Sequence, residues 1–189
     1  MTHLATSLAI EPQLLGGLVV AAAAAIADLR TRRIPNAITV PGTALGLLTA
    51  LAANQGWLPG TPGVAFGNAL ATAAGALLLG FACFARRLLG GGDAKLLVAV
   101  GAWVGFPALV HVFACSLAAA LTMLIAECVV EGRTRVLLRT VVAIPGSWFL
   151  PRLRQLADRD LLQVPIPLGA AIAAGTLAWV LQAQRLAGG

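Results

Sequence analysis

The sequence predicts an all-α fold, a polytopic membrane helical bundle of about six transmembrane helices, and three observations carry that expectation. Of 189 residues, 59% are apolar and 11% charged, with a mean hydropathy of +0.91. Soluble domains carry roughly 25% charged residues, so this chain lacks the polar surface to face water on all sides. Apolar runs recur near the length of about 20 residues that a membrane helix needs. The cationic side chains gather in alternate connections between those runs.

The runs fall at 12–31, 37–57, 64–84, 94–107, 109–130 and 162–184. Residues 1–13 lack a basic segment ahead of an apolar one, so no cleavable signal peptide is expected and the first run reads as a retained helix. The fourth and fifth runs come from one stretch, Leu96 to Val130, which is too long for one span. Gly105-Phe106-Pro107 is expected to fold it back, because proline interrupts a helix and disfavours helix at the residue before it. The short fourth run is expected to tilt or to begin in a loop that dips into the membrane. Gly42-x-x-x-Gly46, Gly63-x-x-x-Gly67 and Gly101-x-x-x-Gly105 read as close helix-packing sites. The whole chain, 1–189, is expected to form one membrane-embedded domain.

Arg30, Arg32 and Arg33 follow the first run, and Arg86, Arg87 and Lys95 bracket the third connection. Arg133, Arg135, Arg139, Arg152, Arg154 and Arg159 lie between the fifth and sixth, which places 12 of 13 cations in alternate connections and leaves Arg185 outside the pattern. The positive-inside rule then puts these connections in the cytoplasm and both termini outside. Trp57 and Trp103 suit interfacial positions on the outer side. The net charge of +6 is accounted for by topology and by anionic membrane lipids, so no nucleic-acid partner is expected. Segment 132–160 is expected to be a cytoplasmic connection carrying a short interfacial helix. Cys83, Cys115 and Cys128 form no C-x-x-C pair, which argues against a zinc site or a disulfide framework, and they read as small buried hydrophobes.

There are only seven acidic residues. Glu11 is terminal, Asp158 and Asp160 lie among arginines, and Glu127 and Glu131 sit one turn apart at the end of the fifth run. Asp28 differs, because it follows fourteen uncharged residues, Leu14–Ala27, about one turn inside the cytoplasmic boundary. A charge costs up to about 3 kcal/mol at mid-membrane on insertion scales, so its carboxyl should face the bundle interior. Pairing with Arg32 at i,i+4, or snorkelling to the surface, is the plainer reading of this residue. Asp93 closes Gly90-Gly91-Gly92-Asp93-Ala94-Lys95 at the start of the fourth run. Its plainer reading is a helix N-cap. No phosphate-binding G-x-x-x-x-G-K-[ST] is present, and no strand precedes the glycines to support a dinucleotide turn.

Taken together the two aspartates suggest chemistry. Both lie near the same depth at the cytoplasmic end, where packing can bring their carboxyls together. Close carboxyls titrate as a coupled pair, one protonated and one ionised. The ionised member takes a proton from water while the neutral one polarises a scissile carbonyl and protonates the leaving nitrogen. No Ser–His or Cys–His set competes, since His3 is terminal and His111 lies near the opposite face. No H-E-x-x-H or acidic cluster supports a metal, and no cofactor is expected.

Asp28-Leu29-Arg30-Thr31-Arg32-Arg33-Ile34-Pro35-Asn36, followed by Gly90-Gly91-Gly92-Asp93-Ala94-Lys95, resembles the type IV prepilin peptidases, the G-x-G-D membrane aspartic proteases. Val164-Pro165-Ile166-Pro167-Leu168-Gly169 also looks like that family's Pro–Gly-rich helix start, with Leu168 where an aromatic is expected. The resemblance spans about residues 14–184. It implies Asp28 and Asp93 as catalytic residues, Gly90 and Gly92 as the clearance for Asp93 to approach Asp28, and cleavage of a short basic leader from a prepilin or pseudopilin. Lys95 is expected either to bias the pair electrostatically or to anchor on lipid phosphate. Pro35 and Asn36 are expected to form a turn, with Asn36 capping the second helix. Larger members carry paired C-x-x-C motifs between the first two spans, associated with N-methylation. Only Arg30–Asn36 stands there in this chain, so a peptidase without methyltransferase activity is implied, similar to the short enzymes of tight-adherence (Flp-type) pilus systems, in the bacterial inner membrane. A small transporter with a proton relay and a non-catalytic assembly factor are the other readings.

Overall fold

The computed structural model describes residues 12–57, 64–86, 89–130 and 168–188. They form six helices: α1 (Pro12–Thr31), α2 (Asn36–Asn54), α3 (Phe66–Ala85), α4 (Gly91–Val104), α5 (Phe106–Val130) and α6 (Leu168–Gly188). The expected all-α bundle is what the chain forms, and α1, α2, α3 and α5 are long and apolar enough to cross a membrane. The expected interfacial helix within 132–160 lies outside the described residues. The chain divides into two compact units, residues 1–117 with 167–189, and residues 118–166. The described part of the second is the last half of α5, which exposes Leu121, Ile125 and Val129. The core and the site belong to the first.

Within that unit the usual distribution of side-chain size is inverted. Leu45, Leu48, Leu78, Leu79 and Phe81 are exposed, while Ala21, Ala24, Gly42, Gly46, Ala69 and Gly80 are buried. Lipid tails are as apolar as leucine, so large side chains gain little by turning inward in a bilayer, and small ones let helix backbones close. A Cβ on Gly42 would lie 2.9 Å from Val20 Cγ1 of α1, and one on Gly80 3.0 Å from Ala94 Cβ of α4. Gly67 meets nothing within 4 Å, so this half of the Gly63-x-x-x-Gly67 pair is not a packing site.

Helix α4 is the exception that explains its own length. It packs against α1, α2, α3 and α6, and every residue from Ala99 to Val104 is buried. A helix apolar on all sides belongs in an interior, so its 14 residues are enclosed by neighbours. Leu96, Val100 and Trp103 form the core with Val20 and Ala24 of α1, Val112 of α5 and Ile172 of α6. Trp103 corrects the interfacial position expected for it. It is only 7% exposed, its ring fills the space left by Gly16, Gly17 and Gly46, and Nε1 donates to Gly42 O at 2.9 Å. Trp57, by contrast, is 80% exposed. Cys128 is buried, but Cys83 and Cys115 are only half-buried.

The expected reversal falls at Gly105, with φ +76° and ψ 176°. That region is essentially closed to side-chain-bearing residues. A Cβ there would also stand 2.9 Å from Asn68 Nδ2. Asn68 Oδ1 accepts from the Phe106 amide at 3.3 Å, and Leu109 N donates to Gly105 O at 2.9 Å. Pro107 thus sits in the first turn of α5, where its missing N–H costs nothing.

Candidate active site

Two reversals at the other end of the bundle hold the acidic residues. Helix α1 ends because Arg32 turns to φ +53° and Pro35, at φ −73° and ψ 145°, bars helix at Ile34. Thr31 secures the turn by donating its hydroxyl to Ala27 O at 2.8 Å and Arg33 O at 3.0 Å. Asp28 therefore lies in the last turn of α1, and it is 9% exposed. Its Oδ2 accepts the Gly169 backbone N–H at 2.9 Å.

Gly169 is the second residue of α6, and amides in the first turn of a helix have no partner within it. Their dipoles also favour a negative charge placed there. A Cβ on Gly169 would meet Asp28 Cβ and Oδ2, each at 2.9 Å, so glycine is what allows α1 and α6 to close at this level. Apart from the Pro–Gly-rich start of α6, nothing local in the sequence marks Gly169, because its partner lies 141 residues away. Residues 164–167 of that segment lie outside the described residues.

Asp93 is the third residue of α4, after Gly91 and Gly92, and Gly90 is the N-cap. This corrects the N-cap role expected of Asp93: Gly90 is the N-cap, and the Asp93 carboxylate bends back toward the Gly90 amide, as the third residue does in a capping box. A Cβ on Gly90 would stand 2.5 Å from Asp93 Oδ2, so the glycine clears the path of its own aspartate. Gly92 serves the neighbouring connection, where a Cβ would meet Ile34 Cβ at 3.2 Å and Ile34 N at 3.6 Å. Gly92 thus lets the α1–α2 reversal lie directly on the first turn of α4.

Asp93 precedes the apolar run that starts at Ala94. Burial pushes its carboxyl up to about 6, and the negative charge of Asp28 raises it further within that value, against the lowering effect of the Gly90 and Asp93 amides. Asp93 therefore lies within the field of Asp28.

Lys95 and Asn36 meet at the same end. Lys95 Nζ donates to Asn36 Oδ1 at 2.9 Å, 59 residues away in sequence. This corrects the capping role expected of Asn36: Pro35 is the N-cap of α2, no side chain caps it, and Asn36 is the first helical residue. A residue at that position has its side chain directed off the helix end, where it ties α2 to α4. His111 is exposed, its Nδ1 lying 2.8 Å from Pro107 O beside the Gly105 reversal, at the opposite end from the aspartates. Among the described residues no three His, Cys, Asp or Glu side chains gather as a metal site would require.

The fold and this end of the bundle define a membrane helical bundle with two carboxyls, Asp28 and Asp93, beside a glycine-bordered reversal. The chain belongs to the type IV leader peptidase family, whose family model matches residues 15–126, and it is a membrane peptidase of that family. The matched segment contains both Asp28 and Asp93, while Gly169 lies beyond it. No match to the chain was found among curated proteins or among solved structures.

Proposed function

We propose that the chain is an aspartic endopeptidase that removes the short basic leader of a type IV prepilin or pseudopilin at the cytoplasmic face of the bacterial inner membrane, with Asp28 and Asp93 as its dyad. The observation that carries this reading is the unequal setting of the two carboxyls. Asp28 is buried with a backbone donor on Oδ2, and Asp93 is pushed toward its neutral form beside it. Two equivalent surface carboxylates would offer no such division of labour.

In the proposed reaction the Asp28 carboxylate takes a proton from water, and the resulting hydroxide oxygen attacks the scissile carbonyl. The protonated Asp93 donates a hydrogen bond to the carbonyl oxygen and stabilises the charge that develops there. Collapse of the tetrahedral species breaks the C–N bond, the leaving nitrogen takes a proton from the dyad, and the new carboxyl group departs on the leader. One water is consumed and no other reactant is needed. A substrate helix in the bilayer would carry its leader junction at the membrane surface. Five cations, Arg30, Arg32, Arg33, Arg86 and Lys95, sit at this same end and support its cytoplasmic placement. The short Arg30–Asn36 connection supports proteolysis without N-methylation.

The test is a processing assay with a prepilin carrying a basic leader, comparing wild type, Asp28→Asn and Asp93→Asn in membranes. Each substitution is expected to lower leader removal by at least about a thousandfold, since each removes one partner of a two-group mechanism. Wild-type rates in either variant would end the dyad assignment.

A further inference from the structure

A groove between α2, α3 and α4 runs from the Lys95–Asn36 contact toward the middle of the bundle. Its walls are Val40, Ala44 and Leu47 of α2 and Leu77 of α3, and its volume is about 440 Å³. We infer that this groove is a phospholipid site, with the phosphate of an anionic lipid on Lys95 and Asn36 and one acyl chain lying against α2.

Length and width select the occupant. From Asn36 to Leu47 is eleven residues of helix, or about 16 Å at 1.5 Å per residue. That is close to half of the roughly 30 Å hydrocarbon core, the depth of a single leaflet. Spreading 440 Å³ over that length leaves a cross-section of a few tens of Å², against roughly 80 Å² for a helix of about 10 Å diameter. A groove of that length and narrow apolar section suits an extended hydrocarbon chain.

Charge selects the headgroup. An ammonium has three donors, and Lys95 uses one on Asn36 Oδ1, at an exposed position. The contact also orients the Asn36 amide so that its NH₂ is left as a further donor beside the ammonium. Arg33 and Arg86 are exposed at the same end of the bundle and add to the positive field. One turn deeper, Thr39 and Thr43 border the groove and mark where its polar mouth gives way to the apolar walls.

The experiment is native mass spectrometry of the full-length protein released from micelles, with added phosphatidylglycerol or phosphatidylcholine of matched chains. Wild type is expected to keep one phosphatidylglycerol in preference to phosphatidylcholine by about fivefold, the factor that one cation near an anionic surface supplies. Lys95→Gln should keep lipid but lose that preference. Ala44→Trp, which fills the groove, should lose both lipids, with circular dichroism confirming an unchanged helix content. Equal retention of the two lipids by wild type, or an unaltered preference in Lys95→Gln, overturns the proposal. So does displacement of the lipid by a synthetic apolar helix with a basic leader, which would give the groove to substrate. None of these readouts involves hydrolysis, so the outcome stands whatever becomes of the dyad.

Discussion

Gly169 donates its backbone N–H to Asp28 Oδ2 at 2.9 Å, a contact between residues 141 positions apart that joins the end of α1 to the start of α6. The donor is a first-turn helix amide, which has no other partner within α6. The acceptor is a carboxylate with little access to water. Each resolves the other's unsatisfied group, and the arrangement depends on the absence of a side chain at position 169.

Gly169→Ala should therefore act on Asp28 rather than on α6. Its Cβ would meet Asp28 Cβ and Oδ2 at 2.9 Å, so the carboxyl must swing away or the helices must separate. Alanine favours helix over glycine by about 1 kcal/mol, so α6 itself is not weakened. The expected result is a loss of leader removal of about a hundredfold, an order of magnitude set by misplacing a catalytic group by about 1 Å, with normal expression and helix content. Full activity in this variant would show that the Gly169–Asp28 contact does not position the catalytic group.

The pH dependence follows from Asp93. Its carboxyl is raised to about 6, and in the proposed reaction it acts in the neutral form. Below that pH the proton is present, and above it the proton is lost, so kcat/KM should fall about tenfold per unit on the alkaline side of pH 6. Because the charge of Asp28 is one cause of the rise, Asp28→Asn should move the Asp93 titration downward. Infrared titration of the carboxyl band in that variant reads the shift directly, and an unmoved band would separate the two groups.

Trp103 should be the most sensitive residue of the core. Trp103→Ala vacates a ring seated against Gly16, Gly17 and Gly46 and should cost about 3–5 kcal/mol. Trp103→Phe keeps most of the volume but leaves Gly42 O without its side-chain donor, and should cost about 1 kcal/mol from the hydrogen bond. Reversible unfolding in micelles by denaturant distinguishes the two, and equal losses would contradict the hydrogen-bond contribution.

Gly105→Ala tests the reversal between α4 and α5. The φ of +76° with ψ 176° resists a side chain, at about 1–3 kcal/mol, and the Cβ would press on Asn68 Nδ2. Gly67→Ala, at a position with nothing within 4 Å, is the control and should be neutral or slightly stabilising. The midpoint of thermal unfolding should drop for the first and not for the second.

Much of this molecule was legible in its sequence because a bilayer imposes few choices. A run of about 20 apolar residues must satisfy its own backbone and so becomes a helix, which is why the expected runs and the observed helices agree to within a few residues wherever described. The reversal at Gly105 was also visible, since proline and glycine act locally. The tertiary structure decided which face each helix shows. Trp103 had the composition of an interfacial anchor and became core because three glycines on α1 and α2 left a cavity of its shape. Asn36 had the position of a cap and became the partner of Lys95 because α2 and α4 pack side by side. Gly169 acquired its role for the same reason. A hydrogen bond across 141 residues has no local signature, and it exists only once packing brings an unpaired helix amide to an unpaired carboxylate.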